Sequence, residues 1–473
     1  MVTIYKMKQQ KIDEAEKLGK KAIILRSAYP YGKSQTWLPT DLYKVGAKLE
    51  SIGVQTDVVD LNLEEIPSNL TRYDYIGIGV IGAPYVPGTI QLANEVREKT
   101  GKIPLLGGPG VEYLSNEEFR QLYGDSVQIR NDADLSAIVG RQLPLVYKAS
   151  IADRIRNLPP LLADKYLKAE FSFFVSQGCK YACDFCAAVR TRDGNKVSEQ
   201  FSSVMQEDLD AIVERANEFG VRNLTMYITS LDLFQNPTQF KGALEIFAQA
   251  QQRYGIKFSL RGLSRVDSFL NAMEKEPELY DVIPKSGLEV VGFGVDGTTE
   301  EVWKSQHKGN KSLSKVDEAF TTCKKLNITP EALMVMGFHD AKGKPVDTKT
   351  SLSKNVDYSI RCADQYGVVS RPHVAKDMVP GNNGWRNPIW AKQRQRLLDN
   401  PLLFKNLDFV TLASEITHPN EEFRNYVNDA YLQIVGKLSP RGLCVTNPLM
   451  PYTGNPQQDK VADAFNLLVP TDK

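Results

Sequence analysis

The chain has 473 residues, 42% apolar and 24% charged, ordinary values for folded domains that exclude a disordered or collagen-like protein. Lys plus Arg number 58 against 57 Asp plus Glu, a net charge of +1, so no global field draws it to nucleic acid or an anionic membrane. No apolar run approaches the roughly 18 residues of a spanning helix, and the charged opening stretch lacks the apolar segment of a secretory signal. The expectation is a soluble, cytoplasmic protein with no nucleic-acid partner and no membrane span.

In chain order, Lys21–Leu25 reads as a β run, and Pro39–Ile52 places Leu42, Val45, Leu49 and Ile52 at helical spacing. Val54–Leu61 and Tyr75–Ile81 follow as strands, the latter ending at the turn signal Gly82-Ala-Pro84. A helix over Thr89–Lys99 and a strand at Pro104–Leu106 lead into Gly107-Gly-Pro-Gly110. Buried strands alternating with amphipathic helices predict an α/β, doubly wound parallel sheet, whose ligands sit at the strands' carboxyl ends. No G-x-G-x-x-G follows the first strand, so a dinucleotide has little support there.

Beyond a linker at Asp153–Pro160 the alternation resumes. Strands are predicted at Phe171–Ser176, Leu224–Ile228, Lys257–Leu260, Leu288–Val295, Ala332–Met336 and Val368–Val374. Helices are predicted at Gln206–Phe219, Pro237–Tyr254 and Leu313–Leu326. Six such units predict a partial (β/α)6 TIM barrel, shorter than the roughly 250 residues of the complete form. From about residue 385 the pattern turns helical, at Ile389–Leu398 and Glu421–Val435, and ends in a stretch rich in Pro448, Pro451 and Pro456. The expected domains are residues 1–150, 151–385 and a small helical extension, 386–473.

Six cysteines are too few for a disulfide framework. Cys323, Cys362 and Cys444 stand alone and read as small buried apolar residues. Cys179, Cys183 and Cys186 fall within eight positions, spaced C-x3-C-x2-C on the loop after a strand. Structural zinc wants four ligands, usually in two pairs. Three thiolates on one short loop suit an iron–sulfur cubane with one iron left open to substrate or cofactor.

The segment Ser176-Gln-Gly-Cys-Lys-Tyr-Ala-Cys-Asp-Phe-Cys186 resembles the signature of radical S-adenosylmethionine (radical SAM) enzymes. The resemblance implies a 4Fe-4S cluster held by Cys179, Cys183 and Cys186, S-adenosylmethionine on its fourth iron, and reductive cleavage to a 5′-deoxyadenosyl radical. It places Phe185 near the adenine. Thr229-Ser-Leu-Asp-Leu-Phe234 stands where the family contacts the methionine amino group, giving Thr229, Ser230 and Asp232, although the family's usual form is acidic or Gly-Gly-Glu. Arg261 and Arg265 are candidates for the cosubstrate carboxylate, which suits a guanidinium fork, and solvated strand-end arginines fit them equally. Gly292-Phe-Gly-Val-Asp296 resembles the strand whose acidic residue meets the ribose, often Glu in relatives. Met334-Val-Met-Gly-Phe338 resembles the glycine-containing strand near the adenine, giving Met336 and Gly337, and Pro380-Gly381 the late Pro-Gly turn.

Trp37–Asn62, Tyr75–Pro84 and Leu105–Gly110 resemble the cobalamin-binding domain that precedes many radical SAM enzymes. Gly82, Gly107, Gly108 and Gly110 would let a flat macrocycle approach the backbone. A lower-ligand His in a D-x-H-x-x-G loop is missing: His307, His339, His373 and His418 all lie outside this region. The resemblance implies a flavodoxin- or ferredoxin-type electron donor and a small-molecule substrate or biosynthetic intermediate. Cobalamin-dependent C-methylation is the leading reading. A cobalamin-independent radical rearrangement, cyclisation or other C–H functionalisation is second, and a non-enzymatic iron–sulfur or zinc sensor or scaffold third. The catalytic hydrogen or proton donor stays unassigned; His307 and His373 are candidates, a surface-loop position being the better reading of His307 and a solvated face explaining Arg371–Lys376 as well.

Overall fold

The computed structural model describes residues 19–29, 37–181, 183–187, 197–308, 312–408 and 411–445. The proline-rich end with Pro448, Pro451 and Pro456 lies outside them. The chain divides into two compact units, residues 1–174 with 198–224, and residues 175–197 with 225–473. Buried chemistry joins the later stretch of the first unit to the earlier one. Asp208, on a helix well beyond residue 150, accepts hydrogen bonds from Lys44 Nζ (3.0 Å), Gln200 Nε2 (3.0 Å), Ser150 Oγ (2.8 Å) and the Ile151 N–H (2.8 Å). That helix is thereby tied to the first unit.

The first unit opens with β1 (Lys21–Arg26), α1 (Thr40–Glu50), β2 (Gln55–Asp60), β3 (Tyr75–Gly79) and α2 (Val86–Thr100). It continues through β4 (Leu105–Gly107), α3 (Pro109–Glu112), α4 (Asn116–Tyr123), β5 (Val127–Ile129) and α5 (Asp132–Val139). The strands run parallel in the order β2-β1-β3-β4-β5, a doubly wound, Rossmann-like sheet. Its topological switch point, where such sheets take ligands, lies between β1 and β3. Ala22 and Ile24 of β1 pack against Leu42 and Leu49 of α1, with Val54, Val139 and Leu143 completing the cluster. The start of α4 is fixed by a capping box of Ser115 and Glu118 and that of α5 by the Asn131 side chain, each satisfying otherwise orphaned N–H groups. The unit also contains α6 (Ala152–Arg156), α7 (Pro160–Lys168), β6 (Glu170–Phe174) and α8 (Ser202–Glu218).

The alternation then runs β7 (Asn223–Thr229), α9 (Pro237–Tyr254), β8 (Lys257–Ser264), α10 (Val266–Lys275), α11 (Leu279–Ser286) and β9 (Leu288–Gly294). It closes with α12 (Glu300–Ser305), α13 (Leu313–Lys325), β10 (Thr329–Met336), α14 (Lys349–Tyr366) and β11 (Val369–Val374). These strands lie side by side in the order β11-β10-β9-β8-β7, with parallel registers such as Val291↔Pro330 and Leu333↔Arg371. The pattern is that of a TIM-type β/α array. Phe258, Leu260, Val291, Phe293 and Met334 of the strands are fully buried. A row of edge-on rings, Phe234, Phe269, Phe293 and Phe320, has successive centroids 5.0, 5.2 and 6.0 Å apart.

Past β11 come α15 (Asn383–Arg386), α16 (Ala391–Asp399) and α17 (Glu421–Leu438), the helical extension. The apolar stripe of α17, with Phe423, Val427, Tyr431 and Ile434, is buried, and the helix packs on α14 and β11. Cys323 and Cys362 are buried and Cys444 is half-buried. No helix among the described residues is long and apolar enough to cross a membrane.

Candidate active site

The cysteine loop begins where the chain leaves β6. Gly178 takes a left-handed conformation, φ +86°, which a side chain would strain, and turns the chain into Cys179. Gln235 straps the loop: its Nε2 donates to the Gly178 carbonyl (3.2 Å), and its Oε1 and backbone carbonyl accept from the Lys180 N–H (3.2 Å) and Lys180 Nζ (3.0 Å). Farther on, the Asp184 N–H donates to the Gln306 carbonyl (3.2 Å). The Asp184 carboxylate holds His307 Nδ1 (2.7 Å) and the Asn383 amide, just past the Pro380-Gly381 turn. His307 therefore serves as a loop tether. Gln235, Asp184 and Asn383 carry no sequence signature, because an amide or carboxylate in a loop looks the same whether or not it clamps another loop.

Cys179 and Cys183 are buried and Cys186 is half-buried, with the Cys186 N–H bonded to the Cys183 carbonyl (3.2 Å). Burial pushes the Cys179 thiol up to about 11, so a thiolate there requires positive charge brought by a partner, as iron does. Among the described residues no group of three or more His, Cys, Asp or Glu side chains is arranged around a single ion. Three thiols on one loop fit a cluster that distributes its ligands over several irons.

Cations gather beside this loop. Arg265 Nη1 lies 3.3 Å from Cys183 Sγ, its guanidinium stacks 3.9 Å from the Tyr181 ring centroid, and Asp267 grips its Nε (2.9 Å) and Nη2 (3.0 Å). Lys308 is buried, paired with Asp296, and 5.9 Å from the Phe185 ring. Burial pulls Lys308 down to about 7, against the opposing influence of the Cys183, Asp267 and Cys186 charges. Asp296 has φ +50°, an uncommon backbone for a non-glycine residue. Phe185 also packs on Phe338, centroids 5.5 Å apart. The fold thus brings Cys183, Phe185, Arg265 and Asp296 into one neighbourhood.

Other sequence-predicted residues are engaged elsewhere. Asp232 is fully buried and accepts from Ser264 Oγ (2.8 Å), Ser268 Oγ (2.6 Å) and the Arg265 N–H (3.3 Å); it braces the β8–α10 turn. Ser230 Oγ meets Ser176 Oγ at 2.8 Å, and the Thr229 carbonyl accepts the Val175 N–H (3.2 Å). Arg261 projects from β8 with its guanidinium 4.9 Å from the Tyr227 ring. Met336 is buried at the end of β10. Gly337, φ +86°, gives its N–H to Asp347 Oδ2 (2.8 Å), and its carbonyl meets His418 Nε2 (2.9 Å). The sequence also gave no sign of the buried pair His339 Nδ1–Asp377 Oδ2 (2.8 Å), which sits past the ends of β10 and β11.

In the first unit the four glycines divide. A side chain at Gly108 would lie 2.7 Å from the Val80 carbonyl, and one at Gly110 2.6 Å from Val80 Cγ1; both are needed by the protein's own close approach. Gly107 would make ordinary contact with Ile129, and among the described residues Gly82 would meet only Pro84 Cδ at 3.7 Å. Beside the switch point, Ser27 Oγ after β1 and Thr89 Oγ1 of α2 are 3.0 Å apart.

Residues 173–347 match the Radical SAM superfamily profile. The chain is 22% identical over 365 residues to a bacteriochlorophyllide d C-12(1)-methyltransferase of Chlorobaculum tepidum, covering 72% of this chain and 74% of that one. Its fold resembles TsrM of Kitasatospora setae, a radical S-adenosylmethionine methyltransferase solved with cobalamin and a [4Fe-4S] cluster. There the TM-score is 0.59 at 13% identity, over 80% of this chain and 75% of that one. It also resembles OxsB, a cobalamin-dependent S-adenosylmethionine radical enzyme, with TM-score 0.55 at 14% identity over 82% of this chain and 56% of that one. The chain carries, over residues 173–347, a domain of the radical SAM superfamily.

Proposed function

We propose that the protein is a radical SAM enzyme that methylates carbon in a small-molecule substrate, with cobalamin as the methyl carrier. The observation that carries this reading is the clamped loop presenting Cys179, Cys183 and Cys186, with Arg265 and Lys308 beside it. When bound, the cluster supplies the electron that cleaves S-adenosylmethionine to a 5′-deoxyadenosyl radical, and cobalamin supplies the methyl group.

The chain's part is to hold and orient. Cys179, Cys183 and Cys186 are the cluster ligands in this reading, their loop fixed by Gln235 and Asp184. Phe185, backed by Phe338, offers a ring face to the adenine, next to the backbone of Met336 and Gly337. Asp296, oriented by Lys308, accepts from ribose hydroxyls. Backbone carbonyls of Thr229 and Ser230 serve the methionine amino group, and Asp232 shapes that turn from behind. Arg261 and Arg265 are the candidates for the carboxylate, three donors of Arg265 already being engaged by Asp267 and Cys183. Gly82, Gly107, Gly108 and Gly110 line the corrin-facing strand ends of the first unit. A flavodoxin- or ferredoxin-type donor and a cytoplasmic setting complete the reading.

The test is anaerobic reconstitution with iron, sulfide and a corrinoid, followed by incubation with S-adenosylmethionine and reductant. Expected are a brown protein with about four irons, near-stoichiometric corrinoid, 5′-deoxyadenosine, and a product heavier by one methyl. Replacing any one of the three cysteines by Ala removes nucleoside formation. A colourless preparation, or cleavage that survives those substitutions, overturns the reading. Cleavage without bound corrinoid leaves the cobalamin-independent chemistry in its place.

A further inference from the structure

Arg265 occupies a position that cofactor binding alone does not require. Its Nη1 donates to Cys183 Sγ at 3.3 Å, its plane lies on Tyr181, and the residue is only 8% exposed. Tyr181 is fixed in turn, with its hydroxyl 2.9 Å from Ser268 Oγ. Asp267, two residues on in the first turn of α10, holds the other edge of the guanidinium through both carboxylate oxygens. A buried, stacked and bidentately held guanidinium has little freedom to move, so its charge stays fixed at the sulfur.

We propose that Arg265 sets the reduction potential of the iron–sulfur centre by hydrogen bonding to Cys183, with Asp267 moderating its charge. The inference rests on the reading of Cys183 as a cluster ligand. The physical reason is direct. Reduction adds one electron to a cluster already surrounded by thiolate charge. A cation and an N–H donor at a ligand sulfur stabilise the reduced state more than the oxidised one. Asp267 pulls the other way, since its negative charge offsets part of the guanidinium's field. The two residues therefore act in opposite senses on one observable.

The experiment is a redox titration of the reconstituted full-length chain, without S-adenosylmethionine, followed by the paramagnetic signal of the reduced cluster. Arg265→Gln is expected to lower the ratio of reduced to oxidised cluster at a fixed solution potential by about tenfold, which is about 59 mV for a one-electron couple. Arg265→Lys, which keeps the charge, recovers most of that loss. Asp267→Asn moves the ratio upward. A merely structural role would not give opposite signs for two partners of one ion pair. An unchanged potential in Arg265→Gln with full iron and sulfide content overturns the proposal, as does a shift in the same direction as Asp267→Asn. Should Arg265→Gln fail to hold a cluster, Arg265→Lys matching wild type and Asp267→Asn raising the ratio support the proposal, and an unchanged Asp267→Asn defeats it. Cys183→Ala separates the two levels: a cluster retained with normal iron content removes Cys183 as a ligand, whatever Arg265 does.

Discussion

The two units bury charge in different company. In the first, Lys44 and Asp208 form a closed set in which Lys44 Nζ also donates to the Ala149 carbonyl (2.6 Å) and Gln200 Oε1 (2.8 Å). Arg26 meets Asp60 at 2.9 Å, and Asp60 accepts the Tyr166 hydroxyl at 2.8 Å, while Arg26 Nε and Nη2 have no partner among the described residues. In the second, Arg265 and Lys308 are answered by a carboxylate on one side and by thiols or an aromatic face on the other. Fixed carboxylates with every lone pair engaged are architecture. Arg265, held by Asp267 on one edge and facing the Cys183 sulfur on the other, marks a place prepared for further charge.

The largest effect should come from breaking the closed set. Asp208→Ala leaves Lys44 buried with only neutral acceptors and strands the Ser150 hydroxyl and Ile151 N–H. Removing one partner of such a pair costs about 3–5 kcal/mol. Denaturant unfolding should show this loss, and Asp208→Asn a smaller one, because the amide oxygen still accepts. A change below 1 kcal/mol in Asp208→Ala would mean that the set is not closed in solution.

Next in size is Gly108→Ala. With φ +107° and a Val80 carbonyl 2.7 Å from the added carbon, the substitution should destabilise the first unit by about 1–3 kcal/mol, read as a lower melting temperature. This breaks the strand-end turn through its backbone and leaves the buried ion pairs alone.

A pH experiment sharpens the contrast in the second unit. His418 is fully buried, and burial, with His339 and Lys376 adding to it, holds its pKa well below 6.5 despite the Gly337 carbonyl. The folded chain keeps the ring neutral while the unfolded chain binds a proton below pH 6.5. Stability from this group is therefore complete above 6.5 and falls as pH drops towards the folded value, by up to about 1.4 kcal/mol per pH unit. Unfolding measured between pH 7 and 5 should show that slope in the wild type and a flatter one in His418→Gln, whose amide can still donate to Gly337. Equal slopes would remove His418 as the source.

Much of this architecture was legible because periodicity reports burial. The stripe of Leu42, Val45 and Leu49 gave α1, and the run Leu288–Val295 gave β9 nearly to the residue. Helix α14 went unread because its buried face mixes Leu352 and Val356 with Asn355, Ser359 and Cys362, so its hydrophobic stripe is broken. β5 was missed for its three-residue length. The cysteine spacing located the centre of the site, since ligands of one metal group must be close in sequence when they share a loop. Its supports could not be read: Gln235 and Asp184 act across folds of the chain, and an aspartate two residues from an arginine, as Asp267 is, carries no local mark of the sulfur that the pair faces. Arg265 shows the intermediate case, a residue picked out by sequence for a carboxylate whose donors the fold directs to Cys183 and Asp267.

The smallest expected change in stability carries the sharpest information about the first unit. Gly82 has φ −173°, extended backbone that any residue adopts, and among the described residues a methyl group there would touch only Pro84 Cδ at 3.7 Å. Among the described residues neither conformation nor packing asks for glycine there, in contrast to Gly108 and Gly110, so the proposed corrin gives its bareness a use. Gly82→Ala should therefore unfold within about 0.5 kcal/mol of wild type, while the corrinoid retained after desalting falls severalfold. Wild-type retention in a normally folded Gly82→Ala would show that a macrocycle does not lie against that turn. The remaining strand-end glycines would then be explained by the protein's own packing, and the first unit would lose its main structural argument for a corrin.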